Sequence, residues 1–566
     1  MALWPLCLRH DVLLFWRAWV LVLVPLVLSP LPLVSGTKAA WCGYGILIIA
    51  FYWMTEAMPM AATALLPTVL FPFFGVLDTG AVSMQYMSST NLLFLSGLMV
   101  AVAVEKSNFH TRAALRVVLF MGTSVKWLML GFMFITMFLS MWISNTAATA
   151  MVAPMIEAVV TNLSQDLDDS PQPERKDSER STKEDQEAAA STEIVTSTSE
   201  LHVQSKPVDL RPEQLRAPLF LCVAYAANCG GTGTLTGTAP NLVLRGIVEQ
   251  SYGSDTGLSF ATFMLFGVPA MLLCTILGWM LLVVLFLGPK YLVGEPTDPG
   301  RISAVRRSLE RRYRALGPMQ FHESAVLALL VLLVLLWFFR DPQFMPGWNG
   351  LFKTDIDDGT AGMLIVALMF MIPAKPRFWC MKEEGGRSEL SDGLLAWADV
   401  HKGLPWGIVL LLGGGLAIAE AANLSGLSAW LADQLVVLNT LPHGLIVFLV
   451  CAFTTLVTEI SSNTAIASIL LPVMAQLSNS LKINPLYLML PTTLCCSFAF
   501  MLPVATPPNA IVYGVGNLRS QDMLKAGAFM NCICIGVVML LIHTLGVAVF
   551  DVHTYPAWAN TTIIAD

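Results

Sequence analysis

Long apolar runs separated by short polar loops set the pattern of the 566-residue chain. The stretches near 12–34, 263–288, 322–339, 438–456 and 525–549 reach or approach the length that crosses a ~30 Å hydrocarbon core as a helix. Further apolar runs lie near 41–56, 60–76, 91–104, 127–160, 216–245, 359–374, 406–431 and 485–515. None alternates in the ten-residue manner of a membrane β-barrel. The pattern predicts an all-α polytopic membrane protein of about eleven transmembrane helices. Four of the runs are interrupted. Segments 127–161 and 438–478 read as re-entrant hairpins, and 216–245 and 485–515 as broken spans.

Composition agrees. Only 13% of residues are charged and 55% are hydrophobic, whereas a soluble domain carries about 25% charged residues. The chain lacks the polar residues to cover a water-facing surface of its size. Residues 162–215 differ: they are charged and rich in Ser, Thr and Glu. They hold too little apolar surface to fold alone and read as a disordered cytoplasmic loop, either an inert linker or a phosphorylation-regulated tail. The amino-terminal LVLVPLVLSPLPLVSG admits a signal-peptide reading. Its long apolar part, with no soluble domain behind it, favours a first span. The eleven cysteines form no paired C-x-x-C and read as buried structural thiols.

Charge placement orients the chain. Arg301–Arg314 holds six arginines, a second cluster comprises Lys375, Arg377, Lys382, Arg387 and Lys402, and a third Lys106, Arg112, Arg116 and Lys126. Short loops rich in Lys and Arg stay cytoplasmic. Segment 340–358 sets Asp341, Asp355, Asp357 and Asp358 against Arg340 and Lys353 and reads as external. The amino terminus then lies inside and the carboxyl terminus outside, where Asn560-Thr-Thr is a glycosylation sequon. A plasma membrane is the expected location.

Three landmarks recur in order. Ser144-Asn-Thr-Ala opens a run closed by Pro154, and Ser462-Asn-Thr-Ala one closed by Pro472. Thr238-Ala-Pro-Asn241 follows the first, and Thr506-Pro-Pro-Asn509 the second. LFLSGLMVAVAVE ending at Glu105 matches VLLLGGGLAIAE ending at Glu420. The triplets are 318 positions apart and the Thr-x-Pro-Asn motifs 268; the difference is close to the length of the charged insert. Generic small-residue helix packing does not produce this order.

Asn, Thr and Pro inside an apolar run interrupt helical hydrogen bonding. At membrane depth such breaks are tolerated only against protein or a watery cavity. The first hairpin lies between two cytoplasmic loops, whereas the second precedes a span leading to cytoplasmic Arg519 and Lys525, so the repeats are inverted. Two inverted halves with broken helices at the midplane describe a secondary transporter. Half-helix N-termini suit an anion, while unwound carbonyls and Asn and Ser oxygens suit sodium. No Lys or Arg lies near the triplets or the Pro-Asn breaks, so hydroxyls, amides, dipoles and co-bound cations must hold a small anionic substrate. The competing class, an anion channel, favours a continuous polar stripe. An enzyme requires a nucleophile–base pair or metal cluster, and the sequence shows neither at membrane depth. Expected partners are substrate and the lipid bilayer, with no nucleic acid.

Weaker signals remain. GTGTLTG from Gly231 to Gly237 nearly matches a dinucleotide loop but has no flanking βαβ unit. Gly413, Gly414 and Gly415 read as a site of close helix contact. Glu105, Glu420, Glu56 and Glu459 are either proton-coupling acids or acids at helix ends or beside a donor. Glu459, three residues before Ser462, is placed to shape a cation site.

LSMWISNTAATAM, GTLTGTAPNLVL, PWGIVLLLGGG, NPLYLMLP and SFAFMLPVATPPNAIV resemble the divalent anion/sodium symporter family over nearly the whole chain. The resemblance implies an elevator-type homodimer, each protomer with a scaffold and a sliding transport domain. It implies one sodium site at Ser140, Ser144, Asn145 and the Gly237 backbone, and a second at Thr458, Ser461, Asn463 and the Ala505 backbone. Substrate carboxylates would contact Ser144, Asn145, Thr146, Ser462, Asn463, Thr464 and Thr506. Both triplets keep threonine, whereas sulfate-carrying members tend to have proline in the second; this favours di- or tricarboxylates such as succinate and citrate over sulfate. Asn228-Cys229 replaces a Ser-Ile common in many members and puts sodium coupling at the first site in question, since some relatives resemble sodium-independent exchangers.

The expected organisation is 1–126, mainly scaffold spans; 127–161, first hairpin; 162–215, charged loop; 216–262, first broken span; 263–405, intervening spans and basic loops; 406–437, opening span of the second repeat; 438–478, second hairpin; and 479–566, second broken span, last span and external terminus.

Overall fold

A computed structural model describes residues 15–121, 124–168, 212–293, 307, 309–375, 392–435 and 440–560. Among them the only β feature is an isolated antiparallel bridge between Pro373 and Gly393. The expected loop at 162–215 falls largely outside the described residues, as do Arg301, Lys382, Arg387 and the threonines of the Asn560 sequon.

The principal helices are α1 (Trp16–Leu28), α2 (Lys38–Thr55), α3 (Ser89–Ser107), α4 (Phe109–Met121), α5 (Val125–Ser140), α6 (Asn145–Asp168), α7 (Pro212–Gly230), α8 (Ala239–Tyr252) and α9 (Phe260–Leu282). They continue as α10 (Phe321–Phe338), α11 (Asp358–Met371), α12 (Trp406–Leu424), α13 (Leu427–Leu435), α14 (His443–Thr458), α15 (Asn463–Ser480), α16 (Pro485–Cys496), α17 (Pro507–Gly516) and α18 (Ser520–His543). Among the described residues, six helical segments are long and apolar enough to cross a membrane: Trp16–Ser35, Thr79–Ser107, Phe260–Leu287, Phe321–Phe338, Trp406–Leu424 and Ser520–His543. Many lipid-compatible side chains stay exposed on them, including Val331, Leu332 and Leu335 of α10. The apolar run at 60–76 is cut into Met60–Thr63 and Pro67–Phe73, because Pro67 cannot donate the backbone hydrogen bond that would continue the first helix.

Local chemistry sets several boundaries. The Ser88 side chain accepts from Asn91 N at the start of α3, and Asn108 in the left-handed region ends it. Ser259 and Thr262 form a capping box on α9. The basic segment between Lys106 and Lys126 is largely helix rather than open loop. Within it Arg112 of α4 turns inward, donating to Glu323 at 3.0 Å and to the carbonyl of Gly317 at 2.8 Å. A charge counted as a cytoplasmic marker is therefore a buried anchor between α4 and α10.

The repeat is visible as matched elements. α5 and α6 form one hairpin, and α14 and α15 the other; α7–α8 and α16–α17 are the broken spans. Packing is reciprocal: α6 lies on α17, and α15 lies on α8. α12 contacts both α8 and α15. Gly415 allows the approach to α15, since a side chain there would collide with Ser468, and Gly413 and Gly414 likewise let α12 close on Tyr86 and Ala64. All described cysteines are free and all but Cys532 are buried.

Candidate functional site at the hairpin tips and helix breaks

Eight helix ends meet the matched landmarks. α6, α15, α8 and α17 begin at Asn145, Asn463, Ala239 and Pro507, while α5, α14, α7 and α16 end at Ser140, Thr458, Gly230 and Cys496. Four N-termini present free N–H groups and about half a unit of positive charge each. Four C-termini present free carbonyls. The first set suits an anion and the second a cation, without any Lys or Arg at the tips.

The first tip is closed by Ser140, whose Oγ lies 2.5 Å from Asn145 Oδ1 and 2.8 Å from Ala227 O. The second repeats this: Thr458 Oγ1 lies 2.8 Å from Asn463 Oδ1 and 2.7 Å from Cys496 O. A hydroxyl has one proton. When it points to the carbonyl, the hydroxyl oxygen and the Asn Oδ1 both turn lone pairs to a cation between them. Ser140 and Thr458 are fully buried.

The breaks are stapled alike. Asn241 donates to the carbonyls of Gly231 at 3.0 Å and Thr234 at 2.7 Å. Asn509 donates to Ala499 and Leu502, both at 3.0 Å. Gly237 N bonds Thr234 O and Ala505 N bonds Leu502 O, so the two backbone positions assigned to sodium sit in equivalent turns. A side chain at Gly237 would stand 2.6 Å from Gly231 O. The GTGTLTG stretch is thus the break itself, a 3-10 turn at Gly231–Gly233 opening into extended Thr234.

Tip and break are joined differently in the two halves. Thr234 Oγ1 donates to Met141 O at 2.7 Å. At the corresponding place Glu459 accepts from the backbone N–H of Phe500 at 2.8 Å, Met501 at 3.0 Å and Leu502 at 3.2 Å, and from the Asn531 amide at 2.7 Å. The other acids have plainer surroundings. Glu420 accepts from Gln250 at 2.5 Å, and Glu56 and Glu105 are exposed at or near helix ends.

The anchors of the two tips are bonded to each other. Ser140 reaches Ala227, Thr458 reaches Cys496, and Asn228 donates to Ala499 O at 3.1 Å. The end of α7 holds the first hairpin, the end of α16 holds the second, and the Asn228 bond to Ala499 ties the two anchors together. Ser461 Oγ is buried without a protein partner, an orphaned oxygen where the second sodium set expects a ligand, and the donor set fits a hard monovalent cation. Access is one-sided. Thr146, Ala150 and Pro154 on α6 and Val504, Pro507 and Ala510 around α17 are exposed, whereas Thr464–Ser468 and Ala239–Val248 are buried. Ser144, Asn145, Ser462 and Asn463 are half-buried. The sequence singled out Asn228 as a departure from the motif but not its bond to the second repeat, nor the hold of Glu459 on the break, because the first acts across the repeats and the second on backbone.

A family model described as "Sodium:sulfate symporter transmembrane region" matches residues 13–552. The chain is 42% identical to solute carrier family 13 member 2 of Oryctolagus cuniculus, covering 96% of each. It is 40% identical to the Na(+)/citrate cotransporter of Rattus norvegicus, over 96% of this chain and 97% of the relative. It is 39% identical to the Na(+)/dicarboxylate cotransporter 3 of Rattus norvegicus, over 96% and 94%. In fold it resembles the crystal structure of the Alcanivorax borkumensis YdaH transporter, with a TM-score of 0.50, 13% identity and coverage of 83% of this chain and 88% of that one.

Proposed function

The chain belongs to the sodium:sulfate symporter family, and from that premise we propose that it is a secondary active carrier of di- or tricarboxylates such as succinate and citrate, coupled to sodium. Relatives named for sodium cotransport of citrate and of dicarboxylates align over nearly its full length. The observation that carries the reading is the matched pair of tips, in which Ser140 with Asn145 and Thr458 with Asn463 form equivalent oxygen pockets beside four helix N-termini.

Sodium ions are held by Ser140, Ser144, Asn145 and the Gly237 backbone, and by Thr458, Ser461, Asn463 and the Ala505 backbone. The substrate carboxylates meet Ser144, Asn145, Thr146, Ser462, Asn463, Thr464 and Thr506. Dehydrating an anion at midplane without a counter-charge is costly, so bound sodium creates the site the anion fills. Each net positive charge moved inward gains ~2.3 kcal/mol per 100 mV.

On the charge-derived orientation, the exposed faces of α6 and α17 look to the cytoplasm and the buried faces of α8 and α15 look outward. This is an inward-open arrangement. Alternating access follows if the hairpins and broken spans slide as one body past α3, α10, α11 and α12. A homodimer in the plasma membrane with an external, glycosylated Asn560 completes the proposal; Asn560 is exposed.

The test is labelled succinate, citrate and sulfate uptake with sodium replaced by choline. Sodium-dependent succinate or citrate uptake with inward current supports the reading. Unchanged, electroneutral uptake identifies a sodium-independent exchanger instead.

A further inference from the structure

Asn228 crosses the boundary between the repeats. It lies in α7, next to the Ala227 carbonyl that anchors the first tip, yet both its amide bonds go to the second repeat. Nδ2 donates to Ala499 O at 3.1 Å and to Thr506 Oγ1 at 3.3 Å. Asn228 is 1% exposed and Thr506 4%. The Ala499 carbonyl only accepts, which fixes the amide with Nδ2 toward it.

Thr506 Oγ1 also accepts the Asn509 backbone N–H at 3.4 Å. Two donors occupy its two lone pairs, so its proton must point away from both. No bond donated by this hydroxyl is found among the described residues. The hydroxyl is a buried donor, oriented by a residue of the other repeat and still in need of an acceptor.

We propose that Asn228 is a positioning residue that locks the Thr506 hydroxyl as a hydrogen-bond donor to a substrate carboxylate. A carboxylate brings no proton and can only accept. A hydroxyl free to rotate must be reoriented on each binding event, whereas one held by two donors is already aligned. The same bond makes the first repeat a part of the second repeat's substrate contact, so the two tips act as one pocket. This inference rests on the placement of substrate at Thr506 proposed above.

The test is a double-mutant cycle on uptake kinetics in the full-length protein with Asn228→Leu, Thr506→Val and the pair, using labelled succinate and citrate at matched surface abundance. Each single variant is expected to raise KM about threefold to tenfold, the range for losing one buried hydrogen bond. The pair should be no worse than Thr506→Val alone, because Asn228 acts through that hydroxyl. In the Asn228 variant, which acts only through that hydroxyl, maximal rate and sodium half-saturation should stay within about twofold of the parent. If Asn228→Leu fails to reach the surface, Asn228→Ser, which keeps one donor, enters the same cycle with the same expected non-additivity. Unchanged KM in the Asn228 variant beside raised KM in Thr506→Val overturns the inference and leaves the site reading standing, as do additive effects. Unchanged KM in Thr506→Val overturns both.

Discussion

Thr458 stands in the second hairpin where Ser140 stands in the first, and each hydroxyl reaches the Oδ1 of the asparagine five positions later. The match survives a change of residue type because a hydroxyl is the shared chemistry. Thr458→Ser should therefore keep sodium half-saturation near the parent value. Ser140→Ala and Thr458→Ala should raise it about tenfold, the consequence of removing one charge-assisted contact. Sodium titration of succinate uptake measures this directly.

Asn241 and Asn509 each hold two carbonyls, ten and seven positions back, in a break without helical partners. Both are fully buried. Replacement by alanine removes two hydrogen bonds to these carbonyls, which costs about 1–3 kcal/mol in each case. Thermal unfolding of purified protein should show comparable losses for Asn241→Ala and Asn509→Ala. A loss at only one of them would mean that the two breaks are not mechanically equivalent.

The repeat was legible because proline and Ser-Asn-Thr are conspicuous inside apolar runs, and their spacing survives once the charged insert is removed. Gly413–Gly415 were legible as close contacts for the same reason. What the sequence hid were contacts that depend on the fold bringing distant segments together. Arg112 looks like any loop arginine until α10 supplies Glu323. Glu459 looks like an acid placed to shape a cation site until its oxygens are seen accepting from backbone N–H groups of the break. Asn228 looks like a departure from a motif until Thr506 appears beside it. Periodicity reports one element at a time, and none of these three pairs lies within one element.

Asp358 at the head of α11 meets Arg340 at 3.3 Å and Arg245 of α8 at 3.9 Å. Arg245 also bonds Glu249 at 2.5 Å, which accepts from Thr90 of α3 at 3.0 Å. Arg340 and Asp358 are both buried, so removing Arg340 leaves the Asp358 carboxylate only its longer contact with Arg245. Arg340→Met should destabilise by roughly 3–5 kcal/mol. Adding Asp358→Asn should recover part of that loss, read as the unfolding midpoint of the double variant against the single one.

His110 in α4 is buried, and burial pushes its imidazole below the ordinary value of 6.5 despite a bond to Val104 O. The unfolded chain therefore takes up a proton first as pH falls. The stability this histidine contributes is present above the ordinary value and is lost progressively as pH falls toward the depressed one. Unfolding midpoints measured between about pH 7.5 and 5.5 should decline, and His110→Gln should flatten the decline.

The most direct measurement of the central claim is labelled succinate and citrate uptake by Asn145→Ala and Asn463→Ala at matched surface abundance. On the proposed site both tips line one pocket, so each variant alone should lower uptake to background. Parental uptake in both would contradict the placement of sodium and substrate at the paired tips.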